Sequence, residues 1–284
     1  MTVKWLDLSS PPHLPTLYAR AAARRKITGS TLPEQGVRCW VEVEAKPLAA
    51  FRDVCALGPS PLLPPTYPHV LAFGLQMQLL TSKDFPFPLL GLIHLTNRIR
   101  LLRPMGNVTQ LRIGVSVHNL QKHPKGATFD VVTQVDDLLG PLWEAESTLL
   151  CKGVELTGEV PQPVVPAPVS LGELTRWYAP ADIGRRYAKV SGDYNPIHLS
   201  AASAKLFGLP SAIAHGLWIE ARALAALNSH LPAANVEIFV AFKKPVRLPA
   251  EVILHCSEAG SSGDFQLNGH DDLVHLIGNW RPIS

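Results

Sequence analysis

Two side chains that can exchange protons, Asp193 and His198, lie five residues apart in the run SGDYNPIH. Pro196 stands between them, and because its ring fixes φ and leaves no N–H to donate, the run predicts a turn rather than a helix. Asn195 precedes the proline and is biased towards extended geometry, which supports the same prediction. A carboxylate and an imidazole on one turn can both point at a single water molecule. The spacing therefore suits general acid–base chemistry on that water.

A second motif, AHGL, follows at 214–217 and opens an apolar run that predicts a helix over 215–227. The first N–H groups of a helix have no partner within the helix, and the helix dipole favours negative charge there. Gly216 lies at this end. Without a Cβ it allows another molecule to approach the backbone closely.

Together the two motifs resemble the signature of the MaoC-like, hydratase-2 family, an aromatic residue followed by S-G-D-x-N-P-x-H and then A-H-G-L or A-H-G-M. The matching positions are Tyr187, Ser191, Gly192, Asp193, Asn195, Pro196, His198, His215 and Gly216. The resemblance implies reversible hydration of a trans-2-enoyl thioester to an (R)-3-hydroxyacyl thioester. It implies Asp193 and His198 as the catalytic dyad, the Gly216 amide as the oxyanion contact, and no metal or redox cofactor.

The residues around the dyad are open to more than one role. Asn195 is expected to brace the turn or a neighbouring loop, and His215 either holds the loop by a hydrogen bond or only packs. Both are grouped with the predicted substrate-binding residues. Some members of the family carry a serine about two turns after the helix glycine that steadies the aspartate, but Leu224 and Ala225 occupy that region here. The sequence leaves open what orients Asp193 and which member of the dyad is the base.

The substrate would reach the site on a carrier that contains phosphate, either coenzyme A or the phosphopantetheine of an acyl carrier protein. Lys243, Lys244 and Arg247 are candidate phosphate contacts, because basic side chains suit phosphates. Arg98, Arg100 and Arg103 occupy the similar strand of the first half. A solvated basic edge is the competing interpretation for each of them.

The composition is that of a globular protein, since 46% of the 284 residues are hydrophobic and 17% are charged. The formal charge is +3 and the basic residues are scattered, so no nucleic-acid partner is expected. The four cysteines form no CxxC pair, which excludes the common zinc spacings. No apolar run has the length of a signal-peptide core or a membrane span, so a cytoplasmic location is expected.

Hydrophobic periodicity and turn residues divide the chain into elements. Helices are predicted over 17–26, 49–57, 70–80, 182–189, 201–207 and 215–227, with Asp182 as an N-cap. Strands are predicted over 37–44, 92–102, 108–120, 128–136, 142–151, 175–178, 236–242, 251–258, 265–269 and 273–280. A proline-broken loop is predicted over 60–69.

Four prolines in the segment 157–169 predict an extended linker between two domains, 1–156 and 170–284. The two halves share a pattern: an apolar helix with an early glycine, then a strand that ends in a basic run and a proline. The run 94–104 aligns with 239–249 without a gap, at an offset of 145 residues. The repeat predicts two copies of one α+β unit, a helix wrapped by an antiparallel sheet. The family resemblance identifies this architecture as a double hot dog.

Only the second copy carries the dyad, and Phe73 stands in the first half where His215 stands in the second. The first half is therefore expected to be a degenerate hot dog. The function expected is that of an (R)-specific enoyl-CoA hydratase. The alternatives are a 3-hydroxyacyl-ACP dehydratase of lipid or polyketide synthesis, a non-catalytic hot-dog protein that binds acyl thioesters, and a hot-dog thioesterase. A homodimer, common for the fold, stays open.

Overall fold

The computed structural model of this chain describes residues 3–161 and 170–283. Its strands are β1 (Lys4–Asp7), β2 (Gln35–Glu42), β3 (Ile93–Leu101), β4 (Gln110–His123), β5 (Gly126–Asp137), β6 (Gly140–Lys152), β7 (Gly172–Ala179), β8 (Val236–Phe242), β9 (Ala250–Cys256), β10 (Gly263–Asn268) and β11 (Val274–Pro282). Its helices are α1 (Leu14–Ala23), α2 (Ala45–Val54), α3 (Tyr67–Leu80), α4 (Ile183–Ser191), α5 (Ala201–Lys205) and α6 (Gly216–Ala226). Two 3₁₀ turns cover Pro196–His198 and His270–Asp272.

The strands form one sheet in the order β1-β2-β4-β5-β6-β3-β8-β11-β10-β9-β7. The first half contributes β2-β4-β5-β6-β3, and the second half contributes the same succession in reverse as β8-β11-β10-β9-β7. Each half places its core helix, α3 or α6, just before the strand that joins the halves. Those two strands, β3 and β8, pair antiparallel. The predicted double hot-dog fold is confirmed.

The register of the junction agrees with the sequence repeat. Thr96 lies opposite Ala241 in the β3–β8 ladder, and the offset of 145 residues makes these same two residues equivalent. Two copies related by a two-fold axis must pair equivalent residues with each other at the axis. The repeat seen in the sequence and the axis of the sheet therefore coincide.

Both core helices are apolar around most of their circumference, which suits helices buried on all sides. In α6 the buried residues are Trp218, Ile219, Glu220, Ala221, Ala223 and Leu224. The indole of Trp218 donates a hydrogen bond to the carbonyl of Val54 at 3.0 Å, which ties α6 to α2 of the first half. The two halves thus share one packed interior.

A buried polar cluster crosses the junction between the halves. Asn97 on β3 donates through Nδ2 to both oxygens of Glu220 on α6, at 2.9 and 3.0 Å. The same amide donates to Nε2 of His69 on α3 at 3.1 Å, and Ser147 Oγ on β6 donates to Asn97 Oδ1 at 3.1 Å. Burial raises the pKa of Glu220 to about 8, against the opposing effect of the Asn97 hydrogen bond. Burial also lowers the pKa of His69 to about 3.

Several predicted boundaries were wrong, and prolines explain the shifts. Helix α1 begins at Leu14 rather than 17, and α2 begins at Ala45 rather than 49. Helix α3 begins at Tyr67, inside the predicted loop 60–69. Each of these helices carries a proline in its first turn, where the missing N–H costs nothing because no helical partner exists for it.

The structure also differs from the prediction at strand β1 and at both ends of helix α4. The strand β1, which pairs parallel with β2, was not predicted. Helix α4 continues to Ser191, and the side chain of Asp182 at its N-cap position makes no capping hydrogen bond to the described backbone.

Most of the predicted linker, 162–169, lies outside the described residues, so the domain boundaries stay a prediction. No helix within the described ranges is long and apolar enough to cross a membrane.

Candidate active site

The turn that carries Asp193 begins where α4 ends. Gly192 adopts a left-handed conformation with φ of 78°, and its N–H closes the helix on the carbonyl of Ala188 at 2.9 Å. A Cβ at this position would lie 2.8 Å from Cδ1 of Leu14. The left-handed conformation favours glycine here, and a larger residue would also require the Leu14 side chain to shift.

Local hydrogen bonds fix Asp193 within the turn. Its N–H donates to Ser191 Oγ at 3.1 Å, and Ser191 Oγ in turn donates to the carbonyl of Tyr187 at 2.8 Å. The N–H of Asn195 donates to Asp193 Oδ1 at 3.1 Å. The side chain of Asp193 remains 32% exposed, so a ligand can reach it.

The imidazole of His198 is held in one tautomer by the segment before α6. Its Nδ1 donates to the carbonyl of Ile213 at 2.8 Å, because a carbonyl can only accept. In the neutral ring Nε2 therefore carries the lone pair and can accept a proton. The N–H of Ile213 donates to the carbonyl of Ile197 at 3.1 Å, which fixes the same turn from the other side.

His215 supports both members of the dyad. Its Nε2 donates to the backbone carbonyl of Asp193 at 2.9 Å, and its ring stacks on His198 with centroids 3.7 Å apart. It is only 2% exposed, and no described residue is a partner for its Nδ1. The sequence left two roles open for His215, a hydrogen bond to the loop and packing. The structure shows both contacts.

Burial keeps both imidazoles neutral near pH 7. It lowers the pKa of His198, while the negative charge of Asp193 opposes that shift. It lowers the pKa of His215 to about 4, helped by the neighbouring His198. A neutral His198 with a free Nε2 is competent as a general base.

Gly216 is the first residue of α6, and His215 at the N-cap makes no side-chain capping bond within the described residues. The N–H groups of the first turn are therefore not occupied by the cap. A Cβ on Gly216 would lie 3.2 Å from the ring of Phe242, which leaves little room for a larger residue. Asp193, Asn195, His198, His215 and Gly216 are brought together as one cluster.

The three predicted phosphate contacts lie on the segment 243–247, which hydrogen-bonds to the residues before His215. Val246 and Leu248 exchange backbone hydrogen bonds of 2.9 Å with Ala214 and Ala212, the residues that lead into His215. Lys243, Lys244 and Arg247 are exposed and form no ion pair with any described residue.

The basic residues of the first half are engaged elsewhere. Arg98 contacts Glu237 at 2.6 Å and Arg100 contacts the same carboxylate at 3.6 Å. Arg103 contacts Asp137 at 2.6 Å. The second-half residues are therefore the better candidates for a phosphate.

Two first-half residues near the site were missed by the sequence analysis. Tyr18 on α1 hydrogen-bonds to the turn on both sides of Asp193. His94 lies on β3 at a bulge and packs on Phe242 with centroids 4.8 Å apart. Its Nε2 is buried without a described partner, and the charge of Asp193 influences its pKa, which burial lowers to about 4. Neither residue belongs to a local motif, so only the fold reveals them.

Asp193, His198 and His215 each offer one metal-ligating atom, and these atoms lie within 4.8 Å of one another. Both imidazoles already donate one ring N–H to a backbone carbonyl. The same three groups would serve a metal or a water molecule, so the predicted absence of a metal stays a prediction.

Comparison with known proteins identifies the family. The model of the MaoC like domain matches residues 154–272. The chain is 36% identical over 286 aligned positions to 3-hydroxyacyl-thioester dehydratase X of Mycobacterium tuberculosis, covering 97% of this chain and 100% of the relative. The chain belongs to the MaoC-like dehydratase family. The prediction that it is a hydro-lyase is confirmed at the level of the family.

Solved structures of related proteins support the assignment of this chain to the MaoC-like family. The crystal structure of the same Mycobacterium tuberculosis protein superposes with a TM-score of 0.76 at 32% identity, covering 88% of this chain and 100% of that one. A MaoC-like dehydratase from Phytophthora capsici has the same fold, with a TM-score of 0.70 at 21% identity and coverage of 88% and 96%. A mitochondrial 3-hydroxyacyl-[acyl-carrier-protein] dehydratase of Arabidopsis thaliana is 31% identical over 80 residues, 28% of this chain and 48% of the relative.

Proposed function

We propose that this MaoC-like dehydratase interconverts trans-2-enoyl and (R)-3-hydroxyacyl thioesters by adding or removing water. The observation that carries the proposal is a buried His198, whose Nδ1 is bonded and whose Nε2 has no described hydrogen-bond partner, beside the partly exposed carboxylate of Asp193. Atoms of both lie within 4.8 Å, on a turn beside the first residue of α6. The thioester is in keeping with the substrates named for the Mycobacterium tuberculosis and Arabidopsis relatives.

In the hydration direction a water molecule lies between the two side chains. Asp193 accepts one of its hydrogens and orients its oxygen towards C3 of the enoyl group. His198 Nε2 removes the other proton as the C3–O bond forms, and the resulting imidazolium returns that proton to C2. One molecule of water is thereby added across the double bond. The carboxylate of Asp193 stabilises the transient positive charge on His198, in line with the upward effect of Asp193 on the pKa of His198.

Negative charge develops on the thioester oxygen while C3 is attacked. The N–H of Gly216 would donate to this oxygen, since it lies in the first turn of α6 without a side-chain cap among the described residues. Removal of one such donor typically lowers the rate by about 10²–10³-fold. The absent Cβ allows the oxygen to approach the backbone.

The carrier reaches the site past Phe242, which touches the position of Gly216 and is followed directly by Lys243 and Lys244. A coenzyme A substrate would place its phosphates among Lys243, Lys244 and Arg247, which form no ion pair with a described residue. The alternative carrier is an acyl carrier protein, which the name of the Arabidopsis relative favours. The chemistry at Asp193 and His198 is the same for both.

The test is turnover of purified protein with trans-2-enoyl-CoA of short, medium and long chain, followed as loss of the conjugated thioester absorbance. The product is assigned by chiral analysis, and the same acyl groups are offered on an acyl carrier protein. Formation of the (R)-3-hydroxyacyl product is expected. Turnover only on the carrier protein would select the ACP alternative. Binding of these thioesters without turnover would favour the non-catalytic interpretation, and hydrolysis of the thioester would indicate a thioesterase.

A further inference from the structure

Tyr18 lies on α1, far in sequence from the dyad. Helix α1 is fixed to the first half through a small apolar cluster of Leu17, Ala21 and Met77, against which Tyr18 and Phe73 pack. Tyr18 is half-buried, and its ring meets that of Tyr194 edge-on with centroids 6.4 Å apart. Its hydroxyl therefore reaches the turn of the second half from a helix that is packed on the first half.

The hydroxyl of Tyr18 bridges the two peptide groups on either side of Asp193. It donates to the carbonyl of Gly192 at 2.7 Å and accepts from the N–H of Tyr194 at 2.6 Å. Burial raises the pKa of Tyr18, so the phenol keeps the proton that it donates. One oxygen atom thus holds the backbone immediately before and immediately after the carboxylate-bearing residue.

The remaining contacts of Asp193 leave this role open for Tyr18. Ser191 and His215 hold its own N–H and carbonyl, at 3.1 and 2.9 Å. Leu224 lies in the region where some family members carry a steadying serine, and it is apolar and buried. No other described side chain hydrogen-bonds to the backbone of Gly192 or Tyr194.

We infer that Tyr18 is a positioning residue for the proposed reaction: the first half of the chain holds the Asp193 turn of the second half through one phenol. This inference rests on the proposed function and names the group that orients Asp193. It also gives the degenerate half a specific part in the site besides its shape. A displacement of about 1 Å in a catalytic group can cost about 10²-fold in rate.

The test is Tyr18→Phe, which removes the bridging oxygen and keeps the ring. We expect kcat for enoyl thioester hydration to fall roughly 10- to 100-fold, with KM within about twofold of wild type, because the contact orients a catalytic group rather than binding substrate. Tyr178→Phe is the matched control, since Tyr178 is 63% exposed on β7 and makes no side-chain hydrogen bond to a described residue. It should behave as wild type.

A double variant separates positioning from general loss of structure. In an Asp193→Asn background the same Tyr18→Phe substitution should cost little further activity, because its effect passes through the carboxylate. Full additivity of the two losses, an unchanged kcat in Tyr18→Phe, or a change confined to KM would overturn the inference.

Amide hydrogen exchange tests the clamp independently of turnover. Exchange in the segment 192–195 should be several-fold faster in Tyr18→Phe than in wild type and unchanged in Tyr178→Phe. Unchanged exchange in Tyr18→Phe would overturn the clamp even in an active enzyme. If wild type hydrates no thioester on either carrier, the proposed function and the positioning role both fail, and the exchange result alone then judges whether Tyr18 holds the turn.

Discussion

Gly184 and His198 are in backbone contact: a Cβ built on Gly184 would lie 1.8 Å from the carbonyl oxygen of His198. Gly184 is the second residue of α4, and His198 ends the 3₁₀ turn that follows it. Because Gly184 has no side chain, the 3₁₀ turn can pack directly against the backbone of α4. The position of the His198 ring therefore depends on a glycine fourteen residues earlier in the chain.

Gly184→Ala should displace His198, because the obstacle is backbone and cannot rotate away. We expect kcat to fall by about 100-fold and the free energy of unfolding to fall by about 1–3 kcal/mol, as for other overpacked sites. Steady-state kinetics and denaturant unfolding measure the two effects. Gly58→Ala is the control, since a Cβ there meets nothing within 4 Å and φ is not in the left-handed region. Wild-type kcat in Gly184→Ala would show that the contact does not position His198.

The acid side of the pH–rate profile reports on His198. Burial lowers its pKa below the usual 6.5, so the neutral, base-competent form persists as the pH falls below that value. Activity in the hydration direction is lost only as the pH falls through the lowered pKa. We expect the acid limb of kcat/KM to have an apparent pKa below the ordinary value of 6.5. An acid limb centred at or above 6.5 would argue against His198 as the buried base.

Lys243, Lys244 and Arg247 should contribute to binding of the carrier and not to chemistry. Each alanine substitution is expected to raise KM for an enoyl-CoA roughly 2- to 5-fold with little change in kcat, since an exposed charge contact is worth about 0.4–1 kcal/mol. KM for the N-acetylcysteamine thioester of the same acid, which lacks phosphate, should not change. Arg98→Ala serves as the control because Arg98 is already paired with Glu237. Equal effects on both thioesters would assign the residues to another role.

Glu220 should make stability depend on pH. Its pKa in the folded chain, about 8, lies above the ordinary value of 4.5. At a pH between these two values Glu220 is protonated in the folded state and ionised in the unfolded state. The contribution is full below pH 4.5 and is lost as the pH rises to about 8, with a slope of up to about 1.4 kcal/mol per pH unit. His69 does not titrate in this range, since its pKa is about 3.

Glu220→Gln removes this proton linkage and keeps an amide of similar shape in the cluster. The difference in unfolding free energy between wild type and Glu220→Gln, measured from denaturant curves at several pH values, should therefore shift in favour of the variant as the pH rises from 5 to 8. A difference that does not change with pH would mean that Glu220 is ionised in the folded state.

The sequence predicted those parts of the protein that depend on local patterns. Gly192, Asp193 and Pro196 are neighbours in the chain, and their turn follows from the conformations that glycine and proline permit. The repeat at an offset of 145 residues predicted two hot-dog units. The pairing of Thr96 with Ala241 agrees with that offset but was visible only in the structure. The α6 helix began within one residue of its predicted start.

Contacts between distant segments were beyond the sequence. The sequence around Tyr18 indicates only a surface helix, and the packing of α1 on α3 is seen only in the structure. The hydrogen bond between Glu220 and Asn97 joins the two halves, so it too depends on the assembled fold. A signal was present for Gly184, because a glycine inside a helix often marks a close backbone approach. The bulge in β3 that places His94 beside Phe242 cannot be predicted from a single sequence, because no local residue pattern indicates it.

The most direct test of the dyad compares Asp193→Asn, His198→Gln and the double variant in single-turnover hydration of the best enoyl thioester. In the proposed mechanism the two groups act on one water. Each single variant should then lose roughly 10²–10⁴-fold in rate, and the double variant should lie close to the worse single variant. Asp182→Asn, at the start of α4 without a capping bond to described residues, should retain full activity. A single variant that keeps more than about a tenth of the wild-type rate would contradict the acid–base dyad.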